Sequence, residues 1–227
     1  MRRLYKIILI LFISTILTIF IYYNTLNKEI NLLSLGDGVA SGMTPSNLNG
    51  TSYNDILSKN VKNYNLDFAK PNYRVIDLLN DIKNNTKINN NYIEQLIHSS
   101  NIITISIGMD ELSNIDNLNT TYINTFLNNY DNLLYILRKL NNKEIILLSL
   151  YKYKYIKDSY IILINSKLKE YSQKYNIKFI DINLILSTTH FPKENSYYFN
   201  YNAHLLISNK IKSCYNFNRW YLWIPNI

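Results

Sequence analysis

Two short runs that are apolar almost without interruption, Ile102 to Ile107 (Ile-Ile-Thr-Ile-Ser-Ile) and Glu144 to Leu150 (Glu-Ile-Ile-Leu-Leu-Ser-Leu), constrain the fold of this chain more than anything else in it. A strand with one wet face alternates polar and apolar residues. These runs do not, so both of their faces must be covered, as inside a parallel sheet. Further strands are expected at Ile30 to Leu35, Tyr64 to Ala69 and Ile177 to Ile182. Between them, Tyr53 to Lys62, Arg74 to Ile82, Tyr92 to Ser99, Thr121 to Leu140, Ser159 to Tyr175 and Ala203 to Ser213 space their apolar residues by three and four, as helices do. Phe126, Tyr130, Leu133, Leu134 and Leu137 keep that period best. Alternating strand and helix predicts right-handed crossovers and an α/β domain, a five-stranded parallel sheet covered on both faces. Ligands of such domains sit beyond the carboxyl ends of the strands. Those ends are Gly36-Asp37-Gly38, Lys70-Pro71-Asn72, Gly108-Met109-Asp110-Glu111 and Leu150-Tyr151.

The 227 residues, 47% of them hydrophobic, suffice for one domain with its own core, but the apolar residues are unevenly spread. Ile7 to Tyr23 contains no charge, proline or glycine. Counting residues 4–23, with Lys6 snorkelling, reaches the roughly 20 residues of a bilayer-spanning helix. Arg2, Arg3 and Lys6 precede the run and Tyr22-Tyr23 close it, which predicts a single-pass cell-membrane protein with its N-terminus in the cytoplasm. Residues 1–28 are then anchor and linker, and 29–227 an extracytoplasmic domain. A cleaved signal peptide is the rival reading, though Asn24-Thr25-Leu26-Asn27-Lys28 offers no small-x-small site.

The net charge is +8, of which +5 remains without Arg2, Arg3 and Lys6, since every acid lies from Glu29 onward. That excess favours an anionic surface, but no basic stripe suits nucleic acid. Lys152, Lys154 and Lys157 read as a solvated turn. Cys214 is alone, so no intramolecular disulfide forms. Asn-rich pieces such as Asn84-Asn85 and Asn89-Asn90-Asn91 read as plain loops.

The first strand end runs Leu33-Ser34-Leu35-Gly36-Asp37-Gly38-Val39-Ala40-Ser41-Gly42. This block is similar to the Gly-Asp-Ser-x-x-x-Gly of the SGNH (GDSL-type) hydrolases, ester-cleaving enzymes of three-layer α/β/α, flavodoxin-like fold. Asp67-Phe68-Ala69-Lys70-Pro71-Asn72 resembles their second block, Gly108-Met109-Asp110-Glu111 their third, Gly-x-Asn-Asp, and Asn195 to Asn200 with Ala203-His204 their last, Asp-x-x-His. The resemblance spans roughly Ile30 to Ser213. It implies that Gly38 stands for the serine, Asn72 for the oxyanion glycine, Asp110 for the oxyanion asparagine, Tyr198 for the histidine and Asn195 for its aspartate.

A triad esterase needs an attacking hydroxyl, an imidazole to take its proton, a carboxylate behind the imidazole and donors for the oxyanion. Glycine supplies no nucleophile, and tyrosine, with a pKa near 10, collects no proton at neutral pH. Among replacements, Ser41 lies about a turn beyond Gly38, and Ser34 and Ser106 lie inside strands. His190, in the loop before the last helix, is the better surrogate base; His204 is expected to pack and His98 to close a helix.

Asp37, Asp110 and Glu111, at neighbouring strand ends, are offered as a binding group sharing one crevice; the competing reading is that Asp37, as the resemblance implies, ties down its own turn and that Glu111 caps the following helix. No cofactor is expected, and no His or Cys stands nearby to suggest a metal. Three functions follow as expectations. The first is a hydrolase-fold module without catalysis that binds a cell-envelope glycan, lipid or protein; the second, an active esterase with a non-standard catalytic set. The third is an assembly protein docking through Trp220-Tyr221-Leu222-Trp223-Ile224-Pro225.

Overall fold

All five expected strands form a single parallel sheet in a computed structural model, which describes residues 2–26, 30–115, 118–192 and 196–215. In chain order the elements are α1 (Arg2–Leu26), β1 (Asn31–Gly36), α2 (Gly38–Ser41), α3 (Tyr53–Ser58), β2 (Asn63–Asn65), α4 (Val75–Lys83), β3 (Lys87–Ile88), β4 (Asn91–Tyr92) and α5 (Ile93–Ser99). Then follow β5 (Ile102–Ser106), α6 (Met109–Ser113), α7 (Thr120–Leu140), β6 (Glu144–Leu148), α8 (Asp158–Lys174), β7 (Lys178–Ile180) and α9 (Tyr201–Cys214).

The strand order is β2-β1-β5-β6-β7, so the chain starts beside the centre, steps outward once and returns across β1. The strand order reverses between β1 and β5, and a doubly wound sheet opens its ligand crevice there. Leu32 lies opposite Ile102 and Gly36 opposite Ser106. Helices α3 and α9 pack together on one face, and α4, α5, α7 and α8 on the other. Every residue of β5 is buried, as its unbroken apolar run requires. Phe126, Tyr130, Leu133, Leu134 and Leu137 all lie on the buried side of α7.

One buried amide joins three elements beneath the crevice. Asn54 Nδ2 on α3 donates to Ser34 Oγ on β1 (2.5 Å) and Ala40 O (3.3 Å), while Thr104 Oγ1 on β5 donates to Asn54 Oδ1 (2.7 Å). The serine inside β1 is therefore a structural partner rather than a nucleophile.

Several boundaries depart from the sequence pattern. The second strand stops at Asn65, because Asn65 Oδ1 accepts from Asp67 N and Ala69 N donates back to Leu66 O, turning the chain before a bridge from Ala69 to Gly36. The last strand stops at Ile180, where the Asp181 carboxylate caps a 3-10 turn at Ile182–Leu184. The Asn-rich piece expected to be a plain loop is the tip of the β3–β4 hairpin. Asn89 and Asn90 both take positive φ (48° and 68°), the left-handed pair that a tight hairpin requires and asparagine tolerates.

Residues Ile30–Asn216 make one compact unit, and α1 belongs to another. Helix α1 presents Ile10, Leu11, Phe12, Leu17 and Phe20 to the outside, each at least half exposed. Among the described residues no helix is long and apolar enough to cross a membrane, so the span expected over residues 4–23 gains no support here. The aromatic segment at 220–225 lies outside the described residues, as does Asn195.

Candidate functional site

The site is built where β1 and β5 end side by side. At Gly36 the chain passes so close to β5 that a Cβ would come within 2.0 Å of Ser106 O; only glycine fits there. This approach lets Asp37 N donate to Ser106 O (3.0 Å) and brings the Asp37 side chain under the next turn. Asp37 Oδ1 then accepts from Val39 N (3.1 Å), capping α2, and Oδ2 accepts from Gly108 N (2.9 Å) and Asp110 N (3.2 Å). One carboxylate thus holds both strand ends in register.

Asp110, opening α6 beside it, points back across the crevice. Its Oδ2 accepts from Gly38 N (3.0 Å), Asn72 N (2.7 Å) and Tyr198 Oη (3.2 Å). Two backbone amides from different loops converging on one oxygen are the arrangement that stabilises an oxyanion in ester hydrolysis. Here a side chain of the protein occupies that point. Asn72 sits at φ 59°, a left-handed conformation that suits glycine and that asparagine tolerates better than most, so its N–H is still aimed correctly. Both donors belong to the backbone, so they do not depend on which side chains stand at positions 38 and 72.

Tyr198 lies across Gly38. A Cβ on Gly38 would stand 2.3 Å from Tyr198 Oη and 2.6 Å from its Cε1. Tyr197 Oη donates to Tyr198 Oη (3.3 Å) with the two rings 4.4 Å apart, and Ser196 Oγ accepts from Tyr198 N (3.1 Å). Burial, together with the neighbouring Asp110 carboxylate, pushes the Tyr198 phenol far above its ordinary range. It stays protonated and donates.

Burial raises the pKa of Asp37 well above the usual carboxylate value, and the adjacent Asp110 charge adds to the rise; burial raises Asp110 as well. Asp110 Oδ1 is buried with no hydrogen-bond partner. Burial and, for Asp37, the neighbouring charge thus both favour the neutral form of these carboxyls.

The expected trio of carboxylates does not share the crevice. Glu111 turns away: its Oε2 accepts from Val75 N (2.9 Å), capping α4 rather than the helix it belongs to, and its Oε1 accepts from Tyr122 Oη (2.6 Å). Asp37 and Asp110 are together but spent on internal donors. No group of three His, Cys, Asp or Glu among the described residues is placed to hold a metal. The Glu111–Tyr122 bond joins α6 to α7, so Tyr122→Phe should cost about 1 kcal/mol, the net value of a typical hydrogen bond. Urea unfolding of the two proteins measures the difference.

The surrogate hydroxyls and imidazoles lie elsewhere. Ser41 Oγ donates to Gly38 O (3.1 Å) within α2. His190 Nδ1 accepts from Ser187 N (2.9 Å) and lies 3.1 Å from Ser187 Oγ, a reciprocal cap on the 3-10 turn Thr188–His190 in which the serine is also 2.8 Å from Thr189 Oγ1. Neither residue lines the crevice. His98 closes α5 with Nε2 3.6 Å from Glu94 Oε1.

Above Asp110 a crevice of about 320 Å³ remains, walled by Asn47, Pro71, Asn72, Asn114, Tyr197 and Tyr198. Asn47 and Asn114 carried no signal in the sequence, because asparagine is abundant throughout and neither falls in a motif; Tyr197 lies inside the last block, where only its neighbours Asn195 and Tyr198 were assigned roles.

With this geometry in place, the likeness to solved structures has a physical meaning. An acetylxylan esterase from Geobacillus stearothermophilus superposes with a TM-score of 0.60 at 14% identity, over 81% of this chain and 93% of its own. A lipolytic G-D-S-L family protein from Veillonella parvula gives 0.59 at 14%, over 82% and 98%. A psychrotrophic esterase from Pseudoalteromonas sp. gives 0.59 at 14%, over 82% and 96%. No family model matches the sequence, and no curated protein matches it either. The fold is the one these solved esterases and the lipolytic G-D-S-L protein share, the SGNH (GDSL-type) fold, at a sequence identity of 14%.

Proposed function

We propose that this chain is a membrane-held, extracytoplasmic binding module on an ester-hydrolase scaffold, that it performs no triad hydrolysis, and that its crevice takes a neutral glycan. The observation that carries the reading is the Asp110 carboxylate bonded to the Gly38 and Asn72 amides. An ester carbonyl cannot place its developing charge where a carboxylate already sits, and Gly38 has nothing to attack with. An oxyanion donor that is occupied and cannot serve the substrate costs about 100-fold to 1000-fold, and a missing nucleophile about a million-fold.

A glycan fits what is left. Amide and phenol groups both accept and donate, as sugar hydroxyls do, and the walls named above hold three amides and two phenols without a free ionic group. One of the proteins sharing this fold is an acetylxylan esterase. The exposed apolar side chains of α1, with Arg2, Arg3 and Lys6 ahead of them, support attachment to a membrane.

The full chain should hydrolyse p-nitrophenyl acetate no faster than buffer. It should bind neutral xylo-, cello- or chito-oligosaccharides saturably by calorimetry, with Asn114→Ala and Tyr197→Phe each weakening the best of them about tenfold. Ester turnover that disappears in His190→Ala would replace this reading with an active hydrolase built on the Ser187–His190 contact. Absence of binding to all three series would remove the glycan.

A further inference from the structure

A second cavity, of about 430 Å³, opens on the other side of the Tyr198–Phe199 segment and shares no lining residue with the crevice. Its walls are largely apolar, from Pro45, Pro192, Phe199 and Tyr201, with the hydroxyls of Thr44 and Ser46 also lining it. His204, on the first turns of α9, also lines it.

His204 is 3% exposed, and its position fixes its protonation. Nδ1 accepts from Tyr53 N (3.1 Å), so Nδ1 carries the lone pair and the ring proton resides on Nε2. The Phe199 ring lies 4.6 Å away and the Tyr53 ring stacks at 6.3 Å, which hold the imidazole plane in one orientation. Burial pushes its pKa down to about 4, so the ring is neutral across the physiological range. Among the described residues Nε2–H has no hydrogen-bond acceptor, and it is not among the side-chain atoms sealed from the surface. The sequence pattern assigned this histidine to packing, which accounts for Nδ1 and leaves Nε2 unused.

We infer that this cavity is a binding site for a small neutral molecule with an apolar body and a single carbonyl acceptor, which His204 Nε2–H receives. The volume lies within the range of small-molecule sites, and such sites combine apolar walls with few polar groups that fix orientation. A cation is disfavoured because His204 presents a donor, and the side-chain oxygen of Asn200, which also lines the cavity, already accepts from Ala203 N. A bare hydrocarbon would fill the walls and displace solvent from the Nε2–H without replacing its hydrogen bond.

The ketone indanone and its hydrocarbon counterpart indane have nearly the same shape and differ in the carbonyl. Titrated into the full chain carrying isotope-labelled histidine, indanone should shift the His204 Nε2–H resonance saturably, and indane should bind at least about tenfold more weakly. Ser46→Trp, which fills the mouth from an exposed position without touching His204, should abolish both effects in protein whose other histidine signals are unmoved. Equal binding of ketone and hydrocarbon, no saturable shift, or a shift that persists in Ser46→Trp would each overturn the assignment. Failure of the glycan titration in the crevice has no bearing on this result, since the two sites share no residue.

Discussion

Gly38→Ser, the change that restores the nucleophile in name, should destabilise the domain by about 3 kcal/mol, the upper end for overpacking, and yield no esterase. The backbone at Gly38 imposes no left-handed requirement, so the obstacle is the phenol of Tyr198, 2.3 Å from where the new Cβ must go. Adding Tyr198→Ala should return most of that loss, whereas adding Tyr198→Phe should return little, because ring carbons at 2.6 and 2.7 Å obstruct the site as much as the hydroxyl does. Denaturant unfolding of the single and double variants gives the coupling energy directly. Equal destabilisation in the Tyr198→Ala background would mean that the phenol does not occupy the nucleophile's space.

The second large effect runs against the usual rule that removing a hydrogen-bonded buried acid weakens a protein. Asp110→Asn keeps an oxygen facing Gly38 N, Asn72 N and Tyr198 Oη and places its NH₂ where Oδ1 has no partner, while removing a charge beside Asp37. It should stabilise the domain by about 2 kcal/mol near pH 7.5. Both carboxyls titrate above their ordinary value of 3.8 in the folded chain. Their contribution is therefore complete below that value and is lost as pH rises through the raised values. His204 acts oppositely: with its pKa lowered to about 4, the stability it contributes above its ordinary 6.5 is lost as pH falls through that window.

The difference between variant and parent cancels His204 and the surface acids. It should be largest at neutral pH and shrink toward about pH 4, where the parent carboxyls are protonated. Urea titrations of both proteins across that range read it. A penalty of constant size at every pH would show that Asp110 is fully compensated by its three donors.

The sheet was legible because burial on two faces leaves a mark no other element makes: Ile102 to Ile107 could be little else. The register of the crevice was legible in part. Gly38, Asn72, Asp110 and Tyr198, separated by up to 160 residues, do meet at one point, as the order of blocks implied. What the pattern could not convey was direction. Whether a carboxylate at a strand end opens into a crevice, as the binding-group reading of Asp37, Asp110 and Glu111 requires, or turns inward depends on which backbone N–H groups lie nearby without partners. Those are set by loops such as Pro71-Asn72 that carry no periodicity. The Asn89-Asn90 hairpin was missed for a related reason, since a residue used everywhere loses its meaning as a turn signal.

The two amides that meet Asp110 are part of the peptide chain, so no substitution short of proline can delete them. With Tyr198 filling the space above Gly38, two inward-facing donors are left that demand a partner within the protein. The acid supplied from the start of α6 is the tenant the architecture obliges the domain to house. A residue at that position must offer an oxygen to both amides or leave them empty-handed.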